Sequence, residues 1–192
     1  MTKNLLLTGI GGQGTITASK LLTIGLMSAG YDVKMSEVHG MSQREGQVLT
    51  HLRYGEKVYS PVVPMGEADI IIGFEELEVL RNIDYLKPDG VVVLNTVRFN
   101  PIGVLSGRDK YPENTQELIE KRAGKVHAFN ATEEAEKLGN NKVMNTILLG
   151  TIIKSMKLED IDWDKIIEEN IKPKFVELNK KALRVGMGLI EE

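Results

Sequence analysis

The chain has no cysteine among its 192 residues. Disulfides are therefore excluded, and so is any thiolate-held iron–sulfur cluster, zinc ribbon or catalytic thiol carried by this chain. Histidine is almost as scarce, with only His39, His51 and His127. No two of these have metal-ligand spacing beside a carboxylate, and H-E-x-x-H is missing, so no metal centre is expected. The nucleophile signature G-x-S-x-G is absent as well. The P-loop pattern fails at its last two positions, where Thr15 and Ile16 replace the lysine and the hydroxyl residue. That argues against Walker-type nucleotide hydrolysis. No apolar run approaches the roughly 20 residues of a membrane span. Residues 5–10 are too short for a signal-peptide core and run straight into glycines. A cytoplasmic protein is the expectation. Positive charge is not in excess either. Lys and Arg total 24 against 27 Asp and Glu, giving a net charge of −3 and a pI near 5.7. That balance speaks against a general nucleic-acid binder.

What remains is ordinary globular composition, 42% hydrophobic and 27% charged. The length suits one well-buried domain and is short for two. A single domain over residues 1–192 is expected, since no repeat, low-complexity tract or linker divides the chain.

The strongest local signal is Gly9-Ile10-Gly11-Gly12-Gln13-Gly14, directly after Leu5-Leu6-Leu7. Gly9, Gly11 and Gly14 match the G-x-G-x-x-G spacing of a dinucleotide turn between a strand and a helix. Glycine tolerates positive φ and lets a ligand oxygen approach the backbone. The helix that follows presents unpaired N–H groups and the positive end of its dipole. The bare spacing also occurs in tight turns that bind nothing; Gly12-Gln13 makes it more specific.

Residues 5–8 read as the first strand and 15–29 as a helix apolar over most of its circumference, closed by Gly30. Residues 31–36 give the second strand of a β-α-β unit. Residues 48–54 and 57–60 look like a hairpin closed at Gly55-Glu56. The βα rhythm resumes with a strand at 70–72, a helix over 75–86, a turn at Lys87-Pro88-Asp89-Gly90 and a strand at 91–94. Irregular chain is expected over 100–113. A helix at 115–122, a strand at 125–129 and helices at 131–138 and 143–155 follow. A last helix starts near Pro173, with Phe175, Leu178, Ala182 and Val185 on one face. The fold class is α/β: a single Rossmann-like domain, a mostly parallel sheet with helices on both faces, and an inserted β-hairpin.

Glu37 lies 23 residues after Gly14, near the roughly 20-residue offset of a ribose-binding carboxylate. A solvated loop carboxylate would look the same. The loop beyond it gathers His39, Ser42, Gln43 and Arg44 between Gly40 and Gly46. Such a loop suits a phosphate or carboxylate, with Arg44 as bidentate donor. It suits a partner protein equally, and a plain polar loop is the bland alternative. His51 reads as a strand-surface residue and His127 as structural. Asn145 is an amide within an apolar helix and needs a partner, either in a neighbouring loop or in a ligand. Glu75 and Glu76 suit a helix N-terminus, with Glu75 also near a strand end. No acid–base pair is evident, so no catalytic residue is assigned.

These segments carry a resemblance. The glycine turn, Ala18-Ser19-Lys20-Leu21-Leu22 and the run from Ser36 to Arg44 closely resemble the gamma-type domain of 2-oxoacid:ferredoxin oxidoreductases. Within that group they look most like the beta subunit of the indolepyruvate type. Gly66-Glu67-Ala68-Asp69, Glu75-Glu76-Leu77-Glu78, Tyr85 to Gly90, Asn95-Thr96 and Asn145 to Gly150 extend the likeness over nearly the whole chain. Glu45 departs from it, standing where a second glycine is usual. The resemblance implies a non-autonomous subunit, inactive alone, of an enzyme that oxidatively decarboxylates 2-oxoacids to acyl-CoA and reduces ferredoxin. Thiamine diphosphate and the iron–sulfur clusters are then expected in a large partner subunit, and ferredoxin is met through the complex. Gly9, Gly11, Gly12, Gln13 and Gly14 would form a phosphate-facing turn near coenzyme A, with Glu37 beside it. His39, Ser42, Gln43 and Arg44 would face the partner's active centre. A gamma subunit of a pyruvate or branched-chain enzyme and a stand-alone NAD(P)-binding Rossmann protein are the alternatives. Self-association of the isolated chain is open.

Overall fold

The computed structural model describes residues 2–40 and 46–190. β1 (Lys3–Ile10) is buried from Asn4 onward, because its neighbours cover both faces and both edges. The glycine turn leads into α1 (Thr15–Ser28), and Gly30 follows its end with φ +88°. Gly30 N donates to Met27 O and Tyr31 N to Leu26 O, which closes the helix as the sequence suggested. β2 (Asp32–His39) and β3 (Gln47–Gly55) come next. Then follow β4 (Ala68–Gly73), α2 (Glu76–Asn82) with a 3-10 turn at Ile83–Tyr85, and β5 (Leu86–Asn95). α3 (Ile102–Leu105), α4 (Thr115–Glu120), β6 (Lys125–Phe129) and α5 (Ala131–Lys137) continue the chain. It ends with α6 (Met144–Ser155), α7 (Trp163–Asn170) and α8 (Val176–Gly188).

The six strands lie in the order β2-β3-β1-β4-β5-β6. β1, β4, β5 and β6 run parallel, whereas β3 is antiparallel to both β1 and β2. Side chains alternate along a strand, so Leu5 and Leu7 face one layer and Leu6 the other. The Leu5/Leu7 face meets Leu21, Leu22 and Leu26 of α1, and α6, α7 and α8 extend that layer through Leu148, Trp163 and Leu183. The opposite face joins Leu6, Ile71 and Val92 to Val79 of α2, Ile119 of α4 and Val63. Apolar burial on both faces is what the near-continuous aliphatic runs of β1, β4 and β5 require.

The structure departs from the expectations at five points. The antiparallel pair is not the hairpin at Gly55-Glu56: residues 57–60 form no strand, and β3 pairs with β2 instead. Arg53 and His51 hold the following segment without extending the sheet. Arg53 donates to Ser60 O and Val62 O, and Val63 N donates to His51 Nδ1. His51 is thus buried and structural, not a strand-surface residue. Lys87-Pro88-Asp89-Gly90 is not a turn between elements. It is a bulge within β5: Ala68 pairs with Leu86 and Ile70 with Val91, so these four residues stand opposite Asp69 alone and three of them are extra on the β5 side. α7 has no counterpart in the sequence reading; it supplies Trp163, Ile166 and Ile167 to the core. Finally, of the expected α8 face Phe175, Leu178, Ala182 and Val185, Ala182 is buried and Leu178 and Val185 pack against the core, whereas Phe175 is exposed. The helix centres its buried face instead on Asn179, Ala182, Leu183 and Gly186. Its contact with α6 is close because Gly150 and Gly186 lack Cβ atoms. A Cβ on Gly186 would lie 1.9 Å from Ile147 O.

Candidate functional site

The carboxyl ends of the parallel strands and the start of α1 meet at the glycine turn. Gly12 and Gly14 have φ of +99° and +85°, conformations costly for an L side chain. Gly9 is required by packing: a Cβ there would come within 2.7 Å of Phe74 Cβ and 2.8 Å of Gln13 Oε1. Gln13 is engaged at both ends. Its Oε1 accepts from Ile10 N at 2.8 Å and its Nε2 donates to Phe74 O at 3.2 Å. It therefore pins the turn to the end of β4. Gly11 N donates to Gly46 O at 2.8 Å, joining the turn to the start of β3.

α1 begins without a capping side chain and without an acidic residue in its first turn. The first N–H groups of a helix have no intrahelical acceptors. With no acidic residue in its own first turn to answer the dipole, this terminus suits an external anion. Above it lies a cleft of about 360 Å³, walled by Ile10, Ile16, Val48 and His39 over the glycines and Thr15.

Strand register shows how the site residues relate. Gly9 pairs with Val48 and Val48 with His39; one row back, Leu7 pairs with Thr50 and Thr50 with Glu37. Both rows face α1, the side that Leu7 shares with Leu22. His39 therefore stands at the cleft. Glu37 sits behind it, at hydrogen-bond range (3.5 Å) of the buried Ser19 hydroxyl of α1. In a dinucleotide fold the ribose-binding acid ends the strand beside β1. Here β3 occupies that place and moves Glu37 one strand outward. Ser42, Gln43 and Arg44 lie outside the described residues. His127 is in β6 and lines a separate cavity.

The sequence left three polar residues here unassigned or undecided. Thr15, 2% exposed, has a buried Oγ1 with no hydrogen-bond partner among the described residues. Thr50, fully buried in the second row, has an unpartnered Oγ1 too. Asn145, at the start of α6, lies against the turn, where a Gly14 Cβ would be 2.5 Å from its Nδ2. The neighbouring Thr146 hydroxyl donates to Asn179 Oδ1 at 2.6 Å and also reaches Asn145 Oδ1 at 3.2 Å. Burial of a hydroxyl is a packing outcome, and only the position of Thr15 just after Gly14 could have signalled it.

The buried acids nearby have other work. Glu75, fully buried, accepts from Glu78 N, Phe99 N and the Tyr111 hydroxyl. Glu76 pairs with Arg98 at 2.8 Å and accepts from Gln116. Together they fasten the 96–113 segment, expected to be irregular but carrying the short helix α3, across the start of α2. Burial and the Glu75 carboxylate push the Tyr111 phenol well above its usual range. Burial likewise raises Glu78, against the opposing effect of Arg81. Among the described residues no group of three or more His, Asp or Glu side chains is placed to hold a metal ion.

Comparison with known proteins agrees with this architecture. Residues 4–189 match the family described as pyruvate ferredoxin/flavodoxin oxidoreductase. The indolepyruvate oxidoreductase subunit IorB of Thermococcus kodakarensis is 38% identical, the match covering 98% of this chain and 96% of that protein. Pyruvate oxidoreductase subunit PORC of Thermotoga maritima has a similar fold, with a TM-score of 0.73 at 23% identity over 97% of this chain and 96% of that one. The 2-oxoglutarate:ferredoxin oxidoreductase of Magnetococcus marinus, solved with 2-oxoglutarate, coenzyme A and succinyl-CoA bound, matches with a TM-score of 0.74 at 17% identity. That match covers 98% of this chain and 31% of the longer one.

Proposed function

The chain belongs to the pyruvate ferredoxin/flavodoxin oxidoreductase family, and from that premise we propose that it is the small subunit of an indolepyruvate:ferredoxin oxidoreductase and forms the coenzyme A side of its active centre. The substrate follows the name of the T. kodakarensis relative, aligned along nearly its whole length. The observation that carries the coenzyme A assignment is the uncapped start of α1, under a glycine turn that leaves the backbone bare. The buried, unpartnered Thr15 hydroxyl and the side-chain-free approach over Gly12 fit a phosphorylated ligand. A neutral ligand would leave the helix terminus unanswered.

In the overall reaction the 2-oxoacid loses carbon dioxide, its acyl group passes to the coenzyme A thiol, and two electrons go to ferredoxin. Thiamine diphosphate supplies the carbanion chemistry of decarboxylation. With no cysteine, this chain offers no thiolate for a cluster, so the iron–sulfur clusters are assigned to the large partner subunit, and thiamine diphosphate is assigned there with them by the family resemblance. This chain's residues bind and orient. The turn at Gly9, Gly11, Gly12, Gln13 and Gly14 seats phosphate, Glu37 steadies α1 through Ser19, and His39 walls the cleft. Ser42, Gln43 and Arg44, which follow His39 in sequence, are assigned by this proposal to the contact with the partner's active centre. The chain acts in the cytoplasm, where ferredoxin reaches the assembled complex. The displaced Glu37 disfavours the stand-alone NAD(P) reading.

The test is a 2-oxoacid panel on the complex reconstituted with its large subunit, with ferredoxin reduction as the readout. Indolepyruvate and related arylpyruvates should give the highest kcat/KM. A preference for pyruvate or branched-chain 2-oxoacids would transfer the chain to the gamma-subunit alternative.

A further inference from the structure

A buried hydroxyl without a partner costs stability, since it has left water and gained nothing in return. Thr15 bears that cost at the first position of α1, on the wall of the cleft. Its Oγ1 is 3.2 Å from where a Cβ on Gly9 would lie, so the bare Gly9 leaves room beside it. Threonine at a helix start divides between two χ1 rotamers. The hydroxyl gives up no hydrogen bond if it turns, and Thr15 already lines the cleft. Asn145 approaches the same point from α6, its amide against Gly14. Two side chains from different helices thus converge on one uncapped helix terminus.

We propose that Thr15 is a ligand-binding residue whose hydroxyl donates to a phosphoryl oxygen of coenzyme A, with the Asn145 amide closing the other side of that oxygen's seat. This rests on the reading that the glycine turn holds coenzyme A. It adds the side chains that do so and a stability signature that a purely structural role would lack.

The experiment is calorimetric titration of the reconstituted complex with coenzyme A and with dephospho-coenzyme A, beside thermal denaturation of the same proteins. Thr15→Val keeps the shape and removes the hydroxyl. It should bind coenzyme A about tenfold or more weakly, the scale of one hydrogen bond to a charged group, while its Tm is unchanged or higher. Thr15→Ser should retain most of the affinity. Thr50→Val removes another orphan hydroxyl, one outside the cleft, and should leave affinity untouched. A tenfold loss with both ligands places Thr15 at the diphosphate; a loss with coenzyme A alone places it at the 3′-phosphate. Undiminished binding by Thr15→Val, with the wild-type complex binding normally, overturns this inference and leaves the coenzyme A reading standing. If the wild-type complex binds no coenzyme A, both fall.

Discussion

Replacing Gly14 by alanine tests whether the turn is built as described. Two penalties add. An L side chain at φ +85° costs about 1–2 kcal/mol through its Cβ and the following carbonyl. The new Cβ would also meet Asn145, 2.5 Å from Nδ2 and 3.0 Å from Cβ and Cγ, so α6 or the turn must give. Overpacking of that kind costs about 1–3 kcal/mol. Gly12→Ala isolates the first penalty, because φ is +99° there and nothing lies within 4 Å of the added Cβ. Gly14→Ala should therefore be the less stable variant by about 1–3 kcal/mol. At about 2–4 °C per kcal/mol for a chain of this size, thermal denaturation resolves the difference. Asn145→Ala in the Gly14→Ala background should recover part of the excess, since it removes the 2.5 Å contact and leaves the 3.0 Å contact with Cβ. Equal stability of the two alanine variants, or no recovery in the double mutant, would refute the packing of α6 on the turn.

Gly186→Ala should destabilise by about 1–3 kcal/mol or more, because a Cβ 1.9 Å from Ile147 O must push α8 off α6; chemical denaturation checks this. Tyr111→Phe removes one hydrogen bond to the Glu75 carboxylate and should cost about 1.5–3 kcal/mol. The 96–113 segment should become more sensitive to limited proteolysis in that variant than in wild type. Burial holds His51 below its ordinary value of 6.5. A depressed folded value stabilises above pH 6.5 and is lost as pH falls through the folded pKa. Melting curves between pH 7.5 and pH 5 should show a smaller loss in His51→Phe than in wild type, although the variant is less stable throughout because Val63 N loses its acceptor.

The first half of the α1 layer could be read from the sequence because its signals are local. Leu5 to Leu7, the glycines and the apolar helix with Gly30 behind it each specify their own conformation, and they agree with one another. β3 could not be placed that way. Its apolar residues would suit a hairpin with residues 57–60 as well as the slot between β1 and β2, and only long-range packing decides. α7 was missed because Trp163-Asp164-Lys165-Ile166-Ile167 is a short apolar stripe among charges, stable only against Gly25 and the α1 layer. Pro88 and Gly90 signalled a turn correctly in kind, but the sheet absorbed it as a bulge. At the site, glycine spacing identified the turn, but Glu37 and His39, expected in a loop beyond a strand ending at residue 36, lie within β2 (Asp32–His39). The spacing could not show that β3 would separate that strand from β1, nor that two threonine hydroxyls would be buried unpaired.

The subunit role itself is tested most directly by omission. The large subunit, charged with thiamine diphosphate and its clusters, is assayed for indolepyruvate- and coenzyme A-dependent ferredoxin reduction, first alone and then with this chain added in equal amount. Activity should be absent or very low in the first case and restored in the second, with the two chains eluting as one complex. Full activity of the large subunit alone, or no association between the chains, would contradict the assignment.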